Sequence, residues 1–373
     1  MKGKFNPKQL KRARVSRGLT MAELSRKSGV SRQSLSAYEN GLSVPGGDSF
    51  LKIINVLKYP VNFFSKEEVS YNKGVAFFRS QSSATAKLRK KQKMMLLDIV
   101  DSYNAIKEFI NFPELNIGEV FTGNIKTLTD EKIEGLANSL RSRWGIGDSP
   151  ILNLTKLMEA NGIIIAETEM DDDNLDALSQ IVDGRYFIAL TNKNESNSRR
   201  RFSLAHELGH IVLHNNSEFE SIFELDNKEY KNILEKQAHY FASCFLMPSG
   251  SFSDSILATS IQFFEKNKKI WNTSIAAQVH RSQQLGILNE DQALYLQKKI
   301  SKNKWRKKEP LDDIIPVEEP YIFRQALKML NDEGIANPET ISAKVALPNT
   351  EFSKIFGYEI STKETTPQLR IVK

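Results

Sequence analysis

Cysteine is nearly absent: Cys244 is the only one among 373 residues, so no internal disulfide can form and the fold does not depend on an oxidising compartment. Histidine is scarce as well, with five in the whole chain. No apolar run approaches the roughly 18 residues needed to span a bilayer. The opening stretch MKGKFNPKQLKRAR is basic but has no apolar segment behind it, unlike a secretion signal. Together these absences predict a cytoplasmic chain with no membrane association. Low-complexity tracts and repeats of about 20 to 50 residues are also missing, which argues against a solenoid or a disordered array.

What is present fits packed domains. Hydrophobic residues make up 40% and charged residues 26%, too apolar for disorder. A chain of this length exceeds the roughly 250 to 300 residues at which single cores stop growing, so two or three domains are expected. Charge is unevenly spread: residues 1–60 hold 12 Lys and Arg against 3 Asp and Glu, a net of +9, leaving −2 for the remainder. A basic excess at one end points to a polyanionic partner there.

That basic segment divides into short helices at 7–17, 21–27, 31–39 and 49–57. Thr20 with Glu23 three residues later is a capping box, Gly29 supplies a tight turn, and Ser31 caps the next helix. Two short helices joined through a glycine turn place the second in a DNA major groove. Leu10, Leu24, Val30, Leu35 and Tyr38 fall where the bundle core belongs, while Arg32, Gln33 and Ser36 project from the second helix. Arg reads guanine and Gln reads adenine through paired hydrogen bonds, so these side chains suit base-edge recognition. The stretch LKRARVSRGLTMAELSRKSGVSRQSLSAYENGLSVP resembles the Cro/phage-repressor (Xre) helix-turn-helix family over residues 5–64. The resemblance implies a double-stranded DNA operator and a homodimer on palindromic half-sites. Met21 stands where the family usually has a phosphate-holding Gln, which weakens one backbone contact.

Residues 61–83, including FFRSQSS, read as irregular, and a long linker helix is expected at 85–110. Its basic run at 87–91 is expected to be a solvated face. Helices follow at 129–144 and 151–161. The short apolar runs 163–166 and 186–190 read as strands of a sheet of two or three. Helices at 199–213 and 230–246 dominate the next part, and a helical pair covers 273–284 and from 289 onward.

The chemistry concentrates in HExxH, formed by His206, Glu207 and His210. Residues four apart share a helix face, so both imidazoles can reach one zinc ion, and a carboxylate beside them can take a proton from zinc-activated water and pass it to a departing amine. With five histidines the motif arises by chance in roughly one such composition in two hundred, so coincidence is a poor explanation. A third ligand must come from elsewhere, and the helix at 230–246 offers Glu235 and His239 on one face. His214 is better read as a supporting or core residue, because three ligands four apart on one straight helix reach too far for one ion.

Three pieces together resemble the ImmA/IrrE family of zinc metallopeptidases, over residues 130–290: LDALS at 175–179, RFSLAHELGHIVLH at 201–214 and EKQAHYFASCFLMP at 235–248. The last is similar to the family helix ExxANxFAxxLLMP. The resemblance implies Glu235 as third ligand, although His239 stands where Asn is usual, and that keeps His239 open as the alternative. The stretch WNTSIAAQVHRSQQLGI at 271–287 also resembles the family, implying a helical pair behind the site with His280 structural. Arg200 and Arg201, just before the motif, are expected to be surface charge; orienting a substrate carbonyl is the alternative.

The combined expectation is a mainly α protein with a small sheet, an α+β fold. An Xre-type bundle occupies 1–66, a linker with a long helix 67–128, a zincin-like metallopeptidase domain 129–300 and a helical extension of no assigned role 301–373. Chains resembling both families look like bacterial or prophage regulators. The resemblance implies a zinc-dependent endopeptidase that cleaves a repressor or antitoxin-like protein. The alternatives are a non-proteolytic transcription factor whose peptidase-like domain senses a ligand or partner, and the antitoxin of a toxin pair.

Overall fold

Capping explains the first four helices. A computed structural model describes residues 4–67, 73–78, 86–168, 177–191, 196–214 and 228–360. Its amino-terminal part comprises α1 (Pro7–Ser16), α2 (Met21–Ser28), α3 (Arg32–Glu39) and α4 (Gly47–Leu57). Thr20 and Glu23 form the reciprocal capping box of α2, Gly29 closes that helix in the left-handed region at φ 71°, and Ser31 caps α3. Leu10, Leu24, Val30 and Leu35 are buried between the helices, with Tyr38 packed at the edge. Arg14 ties α1 to α3 through Glu39 at 2.6 Å.

The sheet has four strands in the order β1-β3-β4-β2: β1 (Lys73–Phe78), β2 (Ile164–Thr168), β3 (Ala177–Val182) and β4 (Arg185–Thr191). This corrects two expectations, the two- or three-stranded sheet and the irregular reading of 61–83, where β1 lies. Most of FFRSQSS, along with Leu175 and Asp176, falls outside the described residues. β3 and β4 are an antiparallel hairpin turned by Asp183 and Gly184, both at positive φ (49° and 77°), the two-residue turn whose twist matches the strands. β2 runs parallel to β4, and β1 pairs antiparallel with β3.

Both faces of this sheet are covered, and the period of two sorts its side chains between two cores. Ile165, Ala177, Tyr186, Ile188 and Leu190 enter one core with α6 (Asp130–Arg143), α7 (Leu154–Ala160), α8 (Asn197–Leu213) and α9 (Lys228–Leu246). Ile164, Ala166, Leu178, Val182, Phe187 and Ala189 enter the other. That second core also contains the amino-terminal bundle, the long helix α5 (Ala86–Ile106) and three helices near the carboxyl end, α14 (Ile322–Asp332), α15 (Pro338–Val345) and α16 (Asn349–Phe356). A smaller cluster joins α11 (Ile261–Trp271), α12 (Ile275–Gln284) and α13 (Glu290–Lys302), with the short α10 (Ser249–Ser255) before them. No helix among the described residues is long and apolar enough to cross a membrane.

Charges stitch these layers. Arg12 of α1 donates to Asp98 at 2.6 Å and Asp101 at 2.7 Å on α5. Burial pushes the Asp98 carboxyl up to about 6 despite the pull of Arg12. Arg17 pairs with Glu351 of α16, and Lys66 Nζ donates to the Val345 carbonyl at 2.8 Å. Lys87, from the basic run, pairs with the half-buried Glu23 at 3.1 Å, while Lys90 is exposed.

Three carboxylates from distant parts of the chain end other helices. Glu159 accepts from Tyr321 N at 3.0 Å and Ile322 N at 3.1 Å at the start of α14. Glu309 accepts from Ile275 N at 2.8 Å at the start of α12, and Glu318 accepts from Thr155 N at 2.9 Å in α7. Each satisfies orphan helix N–H groups, and burial pushes the Glu159 carboxyl up to about 7.

Removing Arg12 leaves the buried carboxylates of Asp98 and Asp101 without its guanidinium, with Lys66 3.6 Å from Asp101 as the remaining cation, which costs more than the pair itself contributes. Arg12→Leu is expected to lower stability by about 3–5 kcal/mol, read as a fall in the urea midpoint with unchanged slope.

Candidate metal centre and DNA-reading helix

Helix α8 carries the HExxH residues and is enclosed nearly throughout, with His206, Glu207, His210 and His214 all buried. Ser196 caps it, and β3 and α9 flank it. Glu207 points at the sheet, where Ser179 Oγ donates to its Oε2 at 2.5 Å. Ser179 alternates with Ala177 and Ile181 on the face of β3 that fronts α8.

His206 and His210 point instead at α9. His206 Nε2 lies 3.3 Å from Glu235 Oε2, His210 Nε2 lies 3.5 Å from Glu235 Oε1, and the two Nε2 atoms are 3.1 Å apart. A tetrahedral ion with bonds of about 2.0–2.1 Å separates its ligand atoms by roughly 3.3 Å. Each contact is close to that ligand spacing, with Glu235 offering a different oxygen to each imidazole. The donor chemistry agrees. Burial pushes the His206 imidazole down to about 3, keeping it in the neutral form that ligates metal. Against the upward push of burial, the neighbouring His206 imidazole holds the Glu235 carboxyl well below its usual range.

His239 shares a wider grouping, in which one atom each from His206, Glu235 and His239 lie within 4.8 Å of one another. Its ring stacks on Phe202 at 5.6 Å and tilts against His206 at 4.4 Å. It lines a cleft of about 720 Å³ with Phe202, Tyr240, Ser243, Ala277 and His280. His280, expected to be structural, is exposed on the rim of that cleft rather than packed in a core. The expectation for Arg200 and Arg201 also fails. Both are buried, Arg200 paired with Glu167 and Arg201 with Glu318. Neither is surface charge, and both guanidiniums are taken by carboxylates rather than offered to a substrate.

The close approach of α8 and α9 depends on Gly209. A Cβ there would sit 3.1 Å from the Ala238 carbonyl oxygen and 3.2 Å from Ala238 Cα and Phe241 Cδ1. Backbone atoms cannot rotate aside, so the helices would have to part.

On the opposite core, Arg32 and Gln33 of α3 are exposed and Ser36 is half-buried, accepting from Asn40 Nδ2 at 3.3 Å. They lie on the solvent face of the second helix of the motif.

A helix-turn-helix family model matches residues 10–64, and a peptidase family model described as an IrrE N-terminal-like domain matches residues 158–266. The chain joins a helix-turn-helix domain to an IrrE-like domain. The second match runs from the end of α7 into α11 and so takes in the sheet strands β2 to β4 with α8 and α9. A search of curated proteins finds no match. The IrrE-like domain is thus a metallopeptidase-like unit in a protein with a DNA-binding fold.

Sequence reading passed over Ser179 and Gln237. The sequence signal at Ser179 is its place in LDALS, one of the pieces that carry the family resemblance; Gln237 has no sequence signal beyond lying two residues from Glu235.

Gly209→Ala gains about 0.5–1 kcal/mol of helix propensity but overpacks the crossing at a cost of about 1–3 kcal/mol. The expected net result is a lower melting temperature with weakened zinc affinity, measured by thermal unfolding and zinc titration.

Proposed function

We propose that this protein is a DNA-binding regulator whose IrrE-like domain is a zinc-dependent endopeptidase acting on a specific protein, of repressor or antitoxin type, in the cytoplasm. The observation that carries the enzymatic half is the close grouping of His206, His210 and Glu235, with the buried carboxylate of Glu207 next to His206 in the same helix and facing the sheet. A purely structural zinc site has no use for that fourth group.

His206, His210 and Glu235 would hold the ion; that close grouping favours Glu235 over His239 as third ligand. A bound zinc supplies Lewis acidity, lowering the pKa of water toward about 7 and polarising a carbonyl. Glu207 takes the proton of the attacking water and returns it to the departing amine, and Ser179 fixes the rotamer of that carboxylate. The cleft lined by Phe202, His239 and Tyr240 receives the peptide. Arg32, Gln33 and Ser36 read base edges in an operator.

Purified wild-type protein is expected to hold one zinc per chain after dialysis, lost in His206→Ala and Glu235→Ala, by elemental analysis. Glu207→Gln keeps zinc and DNA binding while proteolysis of the partner falls by about 10²–10⁴; undiminished cleavage removes Glu207 from the mechanism. Arg32→Ala is expected to weaken operator binding by about 1–3 kcal/mol and relax base preference at one position. A binding-site selection experiment with an unchanged preferred sequence would contradict the role of α3.

A further inference from the structure

Behind the candidate ligand His210 runs a line of buried polar groups that ends on a backbone carbonyl. His210 Nδ1 lies 2.9 Å from His214 Nδ1, and His214 Nε2 lies 3.0 Å from Gln237 Oε1. Gln237 Nε2 donates to the Ile125 carbonyl oxygen at 2.7 Å. His210, His214 and Gln237 are all buried.

The direction of each hydrogen bond in this line follows from its two ends, the Ile125 carbonyl and the candidate ligand atom of His210. A carbonyl oxygen can only accept, so the Gln237 atom facing Ile125 must be the NH₂ group. The amide oxygen is thereby turned to His214 and requires a proton on His214 Nε2. The two facing Nδ1 atoms, 2.9 Å apart, share one proton, and a His210 that ligates through the Nε2 facing His206 and Glu235 carries it on its own Nδ1, which leaves His214 Nδ1 unprotonated. That nitrogen accepts from His210 Nδ1–H. In the neutral His210 ring, Nε2 is then the unprotonated nitrogen, and Nε2 is the atom that faces His206 and Glu235.

We propose that His214 and Gln237 are positioning residues that lock His210 in the tautomer and orientation of a metal ligand before any metal arrives, with the Ile125 carbonyl as the fixed reference. This rests on the zinc-centre reading above and deepens it. Two features argue for a device rather than ordinary burial. A metal-ligating imidazole needs its other nitrogen held by an outer partner, and such partners are worth about 10–100-fold in affinity. Further, Ile125 belongs to a short 3-10 turn at Ile125–Thr127 outside both α8 and α9, so the line ties the ligand to a third element.

The first test is a long-range ¹H–¹⁵N imidazole spectrum of zinc-free, histidine-labelled full-length protein near pH 8. The five histidines make assignment by single substitution practical. His214 is expected to carry its proton on Nε2 and His210 on Nδ1; a proton on His214 Nδ1 overturns the proposal. The second test compares zinc dissociation constants. Gln237→Leu removes both the acceptor for His214 and the donor to Ile125, whereas Gln237→Glu loses only the donor. Zinc affinity is expected to fall by about 10–100-fold in Gln237→Leu and by less in Gln237→Glu, which keeps the acceptor for His214 but not the tie to Ile125. Equal affinity in wild type and Gln237→Leu, or equal losses in the two variants, refutes the relay. If Gln237→Leu does not fold, the wild-type spectrum still decides. Wild-type protein that takes up no zinc would refute the metal-centre reading instead, and the tautomer spectrum separates the two failures.

Discussion

A helix enclosed along most of its length has to find a partner inside the protein for the polar groups it buries. Helix α8 lives under that constraint. It carries two arginines, a glutamate and two histidines in its buried interior, followed at once by buried His214. An unmatched buried charge costs several kcal/mol, so the surrounding elements are placed to answer it. Glu167 at the end of β2 meets Arg200, Glu318 from the segment before α14 meets Arg201, Ser179 on β3 meets Glu207, and Gln237 on α9 meets His214. Two of these answering groups also work at a second task. Glu318 caps α7, and Gln237 reaches the turn at Ile125. The carboxyl-terminal segment, to which the sequence assigned no role, is thus part of what makes the burial of α8 tolerable.

The sheet distributes this constraint to the rest of the molecule. Because adjacent residues of β2, β3 and β4 face opposite cores, a shift of one residue in any strand would exchange the side chains that support α8 for those that support the amino-terminal bundle. The DNA-binding half therefore shares a hydrophobic core with the back of the sheet whose front face carries Ser179. Arg12 on Asp98 and Asp101, and Arg17 on Glu351, add charged contacts at the same junction. Helix α5, which reads in isolation as a tether, is packed against α1 and the sheet.

Local signals account for what was legible in the sequence. The capping box at Thr20 and Glu23, the turn at Gly29 and the HExxH helix are each written in a few adjacent residues, and the structure reproduces them. The fold class followed from the same signals. What stayed hidden depends on partners distant in sequence. β1 was read as irregular because KGVAFF is short and becomes a strand only by pairing with β3, about a hundred residues later. β3 does not alternate visibly because both its faces are buried, so Ser179 and Gln180 look no different from loop residues. Arg200 and Arg201 read as surface charge because their carboxylates lie about 33 and 117 positions away.

Function follows from the same geometry in one more step. If α3 and α8 were joined by a free linker, events at the two helices could change independently, with only an effective-concentration link between them. Here the sheet and the carboxyl-terminal helices sit between the two, and α8 is anchored to that layer by Glu167 and Glu318. A movement of α8 sufficient to open the cleft beside His239 has to break or carry these buried pairs, and through β2 and α16 it reaches Arg17 in the bundle. Buried charged pairs resist gradual distortion, because half-broken they cost more than either closed or solvated. Coupling between the two halves, where it occurs, is therefore expected to be switch-like.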